Sequence, residues 1–375
     1  MRPPLARATL ACAALIAASC ATPAPHRADT APRAPEAQPA DEAPAERAPR
    51  PRPAPIDGAA FATFSQSGTL WTVVPGQAPR DTGLRLGPEC AATSGVGSSA
   101  PLLSPDGRAV AYRDEELWVA DLSDPAGAAA VTTLGPSNEV CVQLTAWSRD
   151  GRRLLFHLDT IGGYDVDPPM PQGVERGFYL WERGAGSARH LPWLRGAEGF
   201  ASDDRGLIAI VRSGREADLV TLALADGAAT ALGGSAAAYP FSQLHASGEL
   251  LAFCAGGAVL AGPAADPEAA EVIARGAHAE HQWPRVAPDL RHIAWHHAVG
   301  PINRQTLHLV VRPLGDAAAE PRPLVQTRGF AASFDWLDGE RLVLSDADGL
   351  RLVYLDGRTT PLAGPGADLI ARSWR

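Results

Sequence analysis

Lysine is absent from this chain: all 33 basic residues are arginine. Asparagine is nearly absent, with only Asn138 and Asn303, and aromatic residues make up 6% of the sequence. The basic residues form no block, and 42 acidic side chains leave a net charge of −9. Phosphate contacts need clustered positive charge, so nucleic acid is excluded as a partner. Apolar runs of membrane-spanning length are also missing beyond the first twenty residues, which excludes a polytopic membrane protein. No Gly-x-Ser-x-Gly elbow is present, so the nucleophile motif of an α/β-hydrolase is lacking. What the chain has instead is 37 Gly, 34 Pro and 46% hydrophobic residues, enough for a large core.

The N-terminus carries Arg2 and Arg7, an apolar stretch from Ala8 to Ala18, and then Ser19-Cys20. A short cationic region, an apolar stretch of about 7–15 residues and small residues at a cleavage point describe an export signal. Ala17-Ala18-Ser19-Cys20 resembles a bacterial lipoprotein box, departing from it at Ala17, where Leu is usual. The resemblance implies a signal peptide over 1–19 and lipidation at Cys20. Ala21 in place of Asp implies the outer membrane, facing the periplasm or the cell surface. Residues 21–55 hold ten Pro and eleven Ala, with no Ile, Leu, Val or aromatic residue. Such a segment buries too little apolar surface to offset its ordering entropy. Residues 20–55 are therefore expected to be a disordered, Pro-stiffened tether.

A repeat runs through residues 56–375. Its clearest copy is Ser104-Pro105-Asp106-Gly107-Arg108, followed by Ala109-Val110-Ala111-Tyr112 and Leu117 to Leu122. A turn, an apolar run, a polar gap and a second apolar run signal a β-hairpin. Taking Asp57, Asp106, Asp150, Asp204, Ser247, Asp289 and Asp338 as zero, position +4 is Phe61, Val110, Leu154, Ile208, Leu251, Ile293 and Leu342. All seven are large and apolar, and position +5 is apolar throughout. Unbroken apolar strands are buried on both faces. In an antiparallel repeat this requires stacked sheets, as in propeller blades. With a strand before each turn and a short strand after each hairpin, every unit of about 45 residues holds four strands. The expected fold is all-β: a seven-bladed β-propeller of four-stranded antiparallel blades. The segment Ala367–Trp374 resembles the strand that precedes each turn, so the C-terminal strand is expected to complete the first blade and close the ring.

The Ser-Pro-Asp-Gly-Arg run at 104–108, with Leu117-Trp118-Val119-Ala120-Asp121-Leu122 behind it, resembles the repeat of TolB-type propellers. Ser148-Arg149-Asp150-Gly151-Arg152 and Leu337-Asp338-Gly339-Glu340-Arg341 match it in part. The resemblance implies a periplasmic scaffold that binds other envelope proteins. A lipid-anchored, monomeric envelope protein is therefore expected, with a protein-binding or scaffolding propeller, membrane contact through its lipid and no cofactor. Its partner is another envelope protein or a cell-wall component. The alternatives are a propeller hydrolase or lyase with a site at the central channel mouth, or a carbohydrate- or peptidoglycan-binding propeller.

Three groups of residues are candidate sites. The long connection from Leu158 to Gly177 carries Asp159, Tyr164, Asp165, Asp167 and Arg176, and long loops inside compact domains tend to be functional. His278 and His281, expected in the loop entering blade six, and His296, ending its second strand, are candidate metal ligands. Adjacent His296 and His297 point to opposite sides of a strand, so at most one joins a shared site. Cys90 and Cys141 lie in long connections of neighbouring blades and are expected to form a disulfide in an oxidising compartment. Cys254 follows Phe253 on a buried strand and is expected to be a small core residue.

Overall fold

The Asp-Gly turns decide where each hairpin begins. The Ser104 hydroxyl donates to Asp106 Oδ1 (2.6 Å), and that oxygen also accepts the Arg108 N–H (3.0 Å). Ser104 Oγ accepts the Ala109 N–H (2.9 Å), starting the next strand. Gly107 sits at φ +70°, a region open to glycine at little cost. The same set recurs one blade on: Ser148 Oγ to Asp150 (2.6 Å), Arg152 N–H to Asp150 (3.0 Å) and Arg153 N–H to Ser148 (2.8 Å). The side chains of the motif thus satisfy backbone groups that no strand reaches.

The computed structural model describes residues 62–370, apart from 75–76, 88–99, 133–139, 149, 161–169, 171, 195–196, 203–206, 214–215, 223–228, 236–243, 256, 277–280, 301–304 and 329–331. These belong to one compact unit, Arg50–Arg375. Blade one contains β1 (Ala62–Gln66), β2 (Thr69–Val73) and β3 (Arg80–Arg85). Blade two contains β4 (Leu102–Leu103), β5 (Ala109–Asp114), β6 (Glu116–Asp121) and β7 (Asp124–Ala130). Blade three contains β8 (Val140–Trp147), β9 (Arg153–Thr160), β10 (Gly177–Glu182) and β11 (Arg189–His190). Blade four contains β12 (Ala197–Ser202), β13 (Leu207–Ser213), β14 (Glu216–Leu222) and β15 (Ala229–Ser235). Blade five contains β16 (His245–Ser247), β17 (Leu250–Ala255), β18 (Ala258–Pro263) and β19 (Glu271–Arg275). Blade six contains β20 (His281–Val286), β21 (His292–Val299), β22 (Thr306–Pro313) and β23 (Arg322–Gln326). Blade seven contains β24 (Ser333–Trp336), β25 (Arg341–Asp346), β26 (Gly349–Tyr354) and β27 (Thr359–Ala363). The last strand, β28 (Ala367–Leu369), pairs with β1, Phe64 opposite Leu369, and completes blade one. Seven four-stranded antiparallel sheets make this a seven-bladed β-propeller, as the repeat predicts.

The expected +4 residues fall on the second strand of their blades, with Phe61 outside the described residues. Two of those strands are buried along nearly their whole length: all of Arg153–Thr160 except its first residue, and all of Arg341–Asp346 except its first. Each face packs on a different neighbour. Val110 and Tyr112 cluster with Leu70 and Leu84 of blade one, while Ala109 and Ala111 cluster with Leu144 and Phe156 of blade three. Phe64 and Val73 of blade one join Val343 and Leu352 of blade seven. Tryptophan indoles add polar ties: Trp147 donates to Leu102 O (3.1 Å) and Trp336 to Arg285 O (2.8 Å), each reaching the preceding blade. Truncating a fully buried Trp such as Trp147 costs about 3–5 kcal/mol.

Candidate functional site

Blade three carries the long connection. Its second and third strands are joined by sixteen residues, 161–176, against one to six in the other six blades. Asp159 and Arg176 stand at the two roots of this connection and meet: Arg176 Nε lies 3.0 Å from Asp159 Oδ1. Arg176 Nη2 also donates to Thr160 Oγ1 (2.7 Å), and Asp159 Oδ1 accepts the Thr160 N–H (2.8 Å). Asp159 is buried, so this ion pair is partly shielded from water. Burial pushes the neighbouring His157 below the ordinary imidazole range; the Arg176 charge adds to the effect and Asp159 opposes it. On the far side, Glu175 Oε2 lies 2.9 Å from His190 Nδ1, and the Tyr179 hydroxyl donates to Glu175 O (2.9 Å). At Gly177 φ is +140° and a Cβ would lie 2.8 Å from His190 Nε2, so β10 begins on glycine for steric reasons. Tyr164, Asp165 and Asp167 lie outside the described residues.

Cys141 sits on β8 opposite Asp159 and is disulfide-bonded. Cys90, its expected partner, lies outside the described residues. Cys254 is a buried thiol in no disulfide, and burial pushes its pKa up to about 12.

The candidate histidines are distributed differently from the sequence reading. His278 lies outside the described residues. His281 is not in a loop: it is the first residue of β20, because β21 extends to Val299 and keeps pairing it. The register sets His281 opposite His297 and Gln282 opposite His296. His296 is fully buried, with its ring edge-on to Trp283 (5.7 Å) and Phe334 (4.9 Å). Burial and the Arg285 charge push it down to about 4. Among the described residues no group of three or more His, Cys, Asp or Glu is placed to hold a metal. Sequence reading missed His308, which stands opposite His297 on β22. The signal was present: counting back along the hairpin from Val299 to Thr306 pairs the two.

Two further features surround these residues. A cavity of about 530 Å³ lies against β19, β21, β22 and β23. Alternation sends Trp295, His297 and Val299, with His308 and Val310, toward it, and Arg275 and Glu320 bring opposite charges to its lining. Buried Arg312 staples two parts of this region together. Its Nη1 donates to Ile273 O on blade five (2.7 Å), its Nε to Ala319 O (2.8 Å), and its Nη2 to Ala317 O (3.0 Å) and Asp316 O (3.2 Å). Nearer the first strands, buried His245 accepts the Val286 N–H through Nδ1 (3.1 Å), linking blades five and six. Burial, then the Arg285 charge, holds His245 well below its ordinary value. Arg285 is itself lowered by burial, which Asp335 opposes.

Seven four-stranded antiparallel sheets, with the last strand completing the first blade, define the class as β-propeller. No family model matches the chain, and no curated protein matches it. Among solved structures it is similar to TolB from Acinetobacter baumannii, at 13% identity over 72% of this chain and 64% of that one, with a TM-score of 0.41. It is similar to the β-propeller domain of the trilobed protease from Pyrococcus furiosus, at 14% identity over 82% and 97% of the two chains, with a TM-score of 0.45. The uncomplexed acylaminoacyl peptidase of Pyrococcus horikoshii gives 14% identity, 80% and 50% coverage, and a TM-score of 0.48. At these values the likenesses carry no argument about function; the strand order itself defines the fold.

Proposed function

We propose that this chain is an exported envelope protein, anchored by lipid at Cys20, whose propeller binds another envelope protein through the long connection of blade three. The carrying observation is the clamp at the roots of that connection. Asp159, Thr160 and Arg176 hold its two ends together beside a disulfide at Cys141. A rigid scaffold presenting a long anchored loop is the usual arrangement of a recognition surface. A Cys90–Cys141 bridge fits this reading, since it ties the 86–101 connection to the root of the 161–176 connection. The lipid anchor and the 20–55 tether would set the propeller away from the membrane surface.

The experiment replaces residues 162–175 by a two-residue turn and compares the full chain with and without the loop. Detergent-solubilised envelopes supply the partner, captured by crosslinking and identified by mass. Loss of one crosslinked species with an unchanged unfolding midpoint supports the reading. Retention of every species refutes the loop as the contact. Separately, Cys20→Ser is expected to move the protein from membrane to soluble fractions, and continued membrane retention refutes the anchor.

A further inference from the structure

The cavity of about 530 Å³ is a crevice between blades five and six, with opposite charges at its two ends. On blade five Arg275 is opposite Ala258, and on blade six Gln326 is opposite His308, with the ladder irregularity one step further on in both. Arg275 and Gln326 therefore hold corresponding places at the ends of β19 and β23. That sets Arg275 at the end of the crevice lined by His297 and His308. Glu320 stands at the other end, on the connection that leads into β23. Pro323, opposite Val310, and Glu320 lie three and six residues before Gln326. At about 3.3 Å per residue, the two charged ends are roughly 10–20 Å apart. Between them the floor is apolar, with buried Trp295 and Val310 beneath it and Ile273 on the blade-five side. Arg275 and Glu320 are exposed, and neither side chain forms an ion pair or hydrogen bond with a described residue.

We propose that this crevice binds a short extended peptide with free termini, its carboxylate at Arg275 and its ammonium at Glu320. An extended chain of three to five residues spans about 10–18 Å, which matches the separation of the charges. The volume falls within the range of about 300–1,000 Å³ usual for small-ligand sites. The guanidinium of Arg275 is a planar fork that meets a carboxylate through two hydrogen bonds, and the imidazoles of His297 and His308 supply further ring N–H donors beside it. Alternate side chains of an extended peptide share one face, so an apolar pair two residues apart lies on Trp295 and Val310. A single amino acid is too short to reach both ends, and a simple organic anion leaves Glu320 without a partner. Pro321 and Pro323 lack N–H groups, so the peptide is not added as a strand along β23 and is read through its termini. The Arg312 staple joins Ile273 O of blade five to the 316–319 turn of blade six and so fixes the width of the crevice. The site lies apart from blade three, and it stands or falls independently of the partner loop.

The test is calorimetric titration of the full chain in detergent with the tetrapeptide alanyl-leucyl-alanyl-leucine, its N-acetyl form and its C-terminal amide. One equivalent of the free peptide is expected to bind, and blocking either terminus is expected to weaken binding at least about threefold, the lower range for an exposed charge pair. Glu320→Gln is expected to abolish the penalty of acetylation and keep that of amidation; Arg275→Gln is expected to do the reverse. Both side chains are exposed, so unfolding midpoints are expected to match the parent. Arg189→Gln, on blade three, is the control and keeps both penalties. Failure of the parent to bind the free peptide overturns the proposal. Blocked peptides that bind as well as the free one, or penalties that survive both variants, overturn it too. Octanoate or free leucine binding as tightly as the tetrapeptide overturns the assignment to a peptide.

Discussion

Replacing Arg312 tests whether a single buried cation holds blades five and six in register. Arg312 is 7% exposed, and its guanidinium donates to four backbone carbonyls on two blades. In Arg312→Met the aliphatic stem is roughly kept and the donors are lost. Ile273 O is then a buried acceptor without a partner, at about 1–3 kcal/mol. The carbonyls of Asp316, Ala317 and Ala319 sit at a part-buried edge, and each loses about 0.5–1 kcal/mol as water replaces the guanidinium. Relief from desolvating a cation offsets part of this, leaving a net loss of about 3 kcal/mol. Arg312→Lys is the sharper variant. One ammonium cannot serve carbonyls that three nitrogens of a planar fork now reach, so it is expected to recover no more than about half. Urea unfolding at pH 7.5, followed by Trp fluorescence, measures both. A lysine variant as stable as the parent, or a methionine loss under about 1 kcal/mol, would falsify the staple.

Four other outcomes follow from the geometry. A Cys90–Cys141 bridge closes 51 residues, so Cys141→Ser is expected to cost about 4 kcal/mol in the chain-entropy model; a non-reducing peptide map lacking a Cys90–Cys141 fragment refutes the pairing. In the same digest Cys254 is expected to alkylate only after unfolding, its thiol being buried with a pKa of about 12. Asp346 is fully buried at its side chain, pairs with Arg351, and accepts the N–H groups of Arg328 (3.1 Å) and Asp348 (3.0 Å). Asp346→Ala strands the guanidinium and is expected to cost about 3–5 kcal/mol by thermal or urea unfolding, a result near zero counting against it. Finally, the folded pKa of His245 is lowered by burial and Arg285, so the unfolded chain binds the extra proton. Stability is therefore full above the unfolded value of 6.5 and falls as pH drops below it. His245→Asn keeps an acceptor for the Val286 N–H and is expected to flatten that fall; an unchanged pH slope shows that His245 is not responsible.

Much of the fold was legible in the sequence because its signals are local. A Ser-x-Asp-Gly-Arg turn satisfies its own backbone groups within six residues, and an apolar run such as Leu154–Phe156 needs only two buried faces to become a second strand. Repetition then supplied the blade count, and the likeness of Ala367–Leu369 to other first strands supplied its pairing with β1. The candidate site was legible in part. Asp159 and Arg176 were read as parts of one loop; the structure places Asp159 on β9 and Arg176 just before β10, and their ion pair depends on where those strands end and begin.

Residue type and spacing along the chain therefore determined a seven-bladed propeller of four-stranded blades. The tertiary structure decided which side chains share a face. Sequence grouped His281 with His296; pairing sets His281 opposite His297 instead, and sets His308 of β22 opposite His297 as well. The reason is geometric. Side chains alternate with period two, and β20 has an irregularity between Gln282 and Arg285, so one step of register moves a residue to the other face. Burial of His296 among aromatic rings, and the reach of Arg312 to a carbonyl 39 residues away, arise only when one blade is laid against the next.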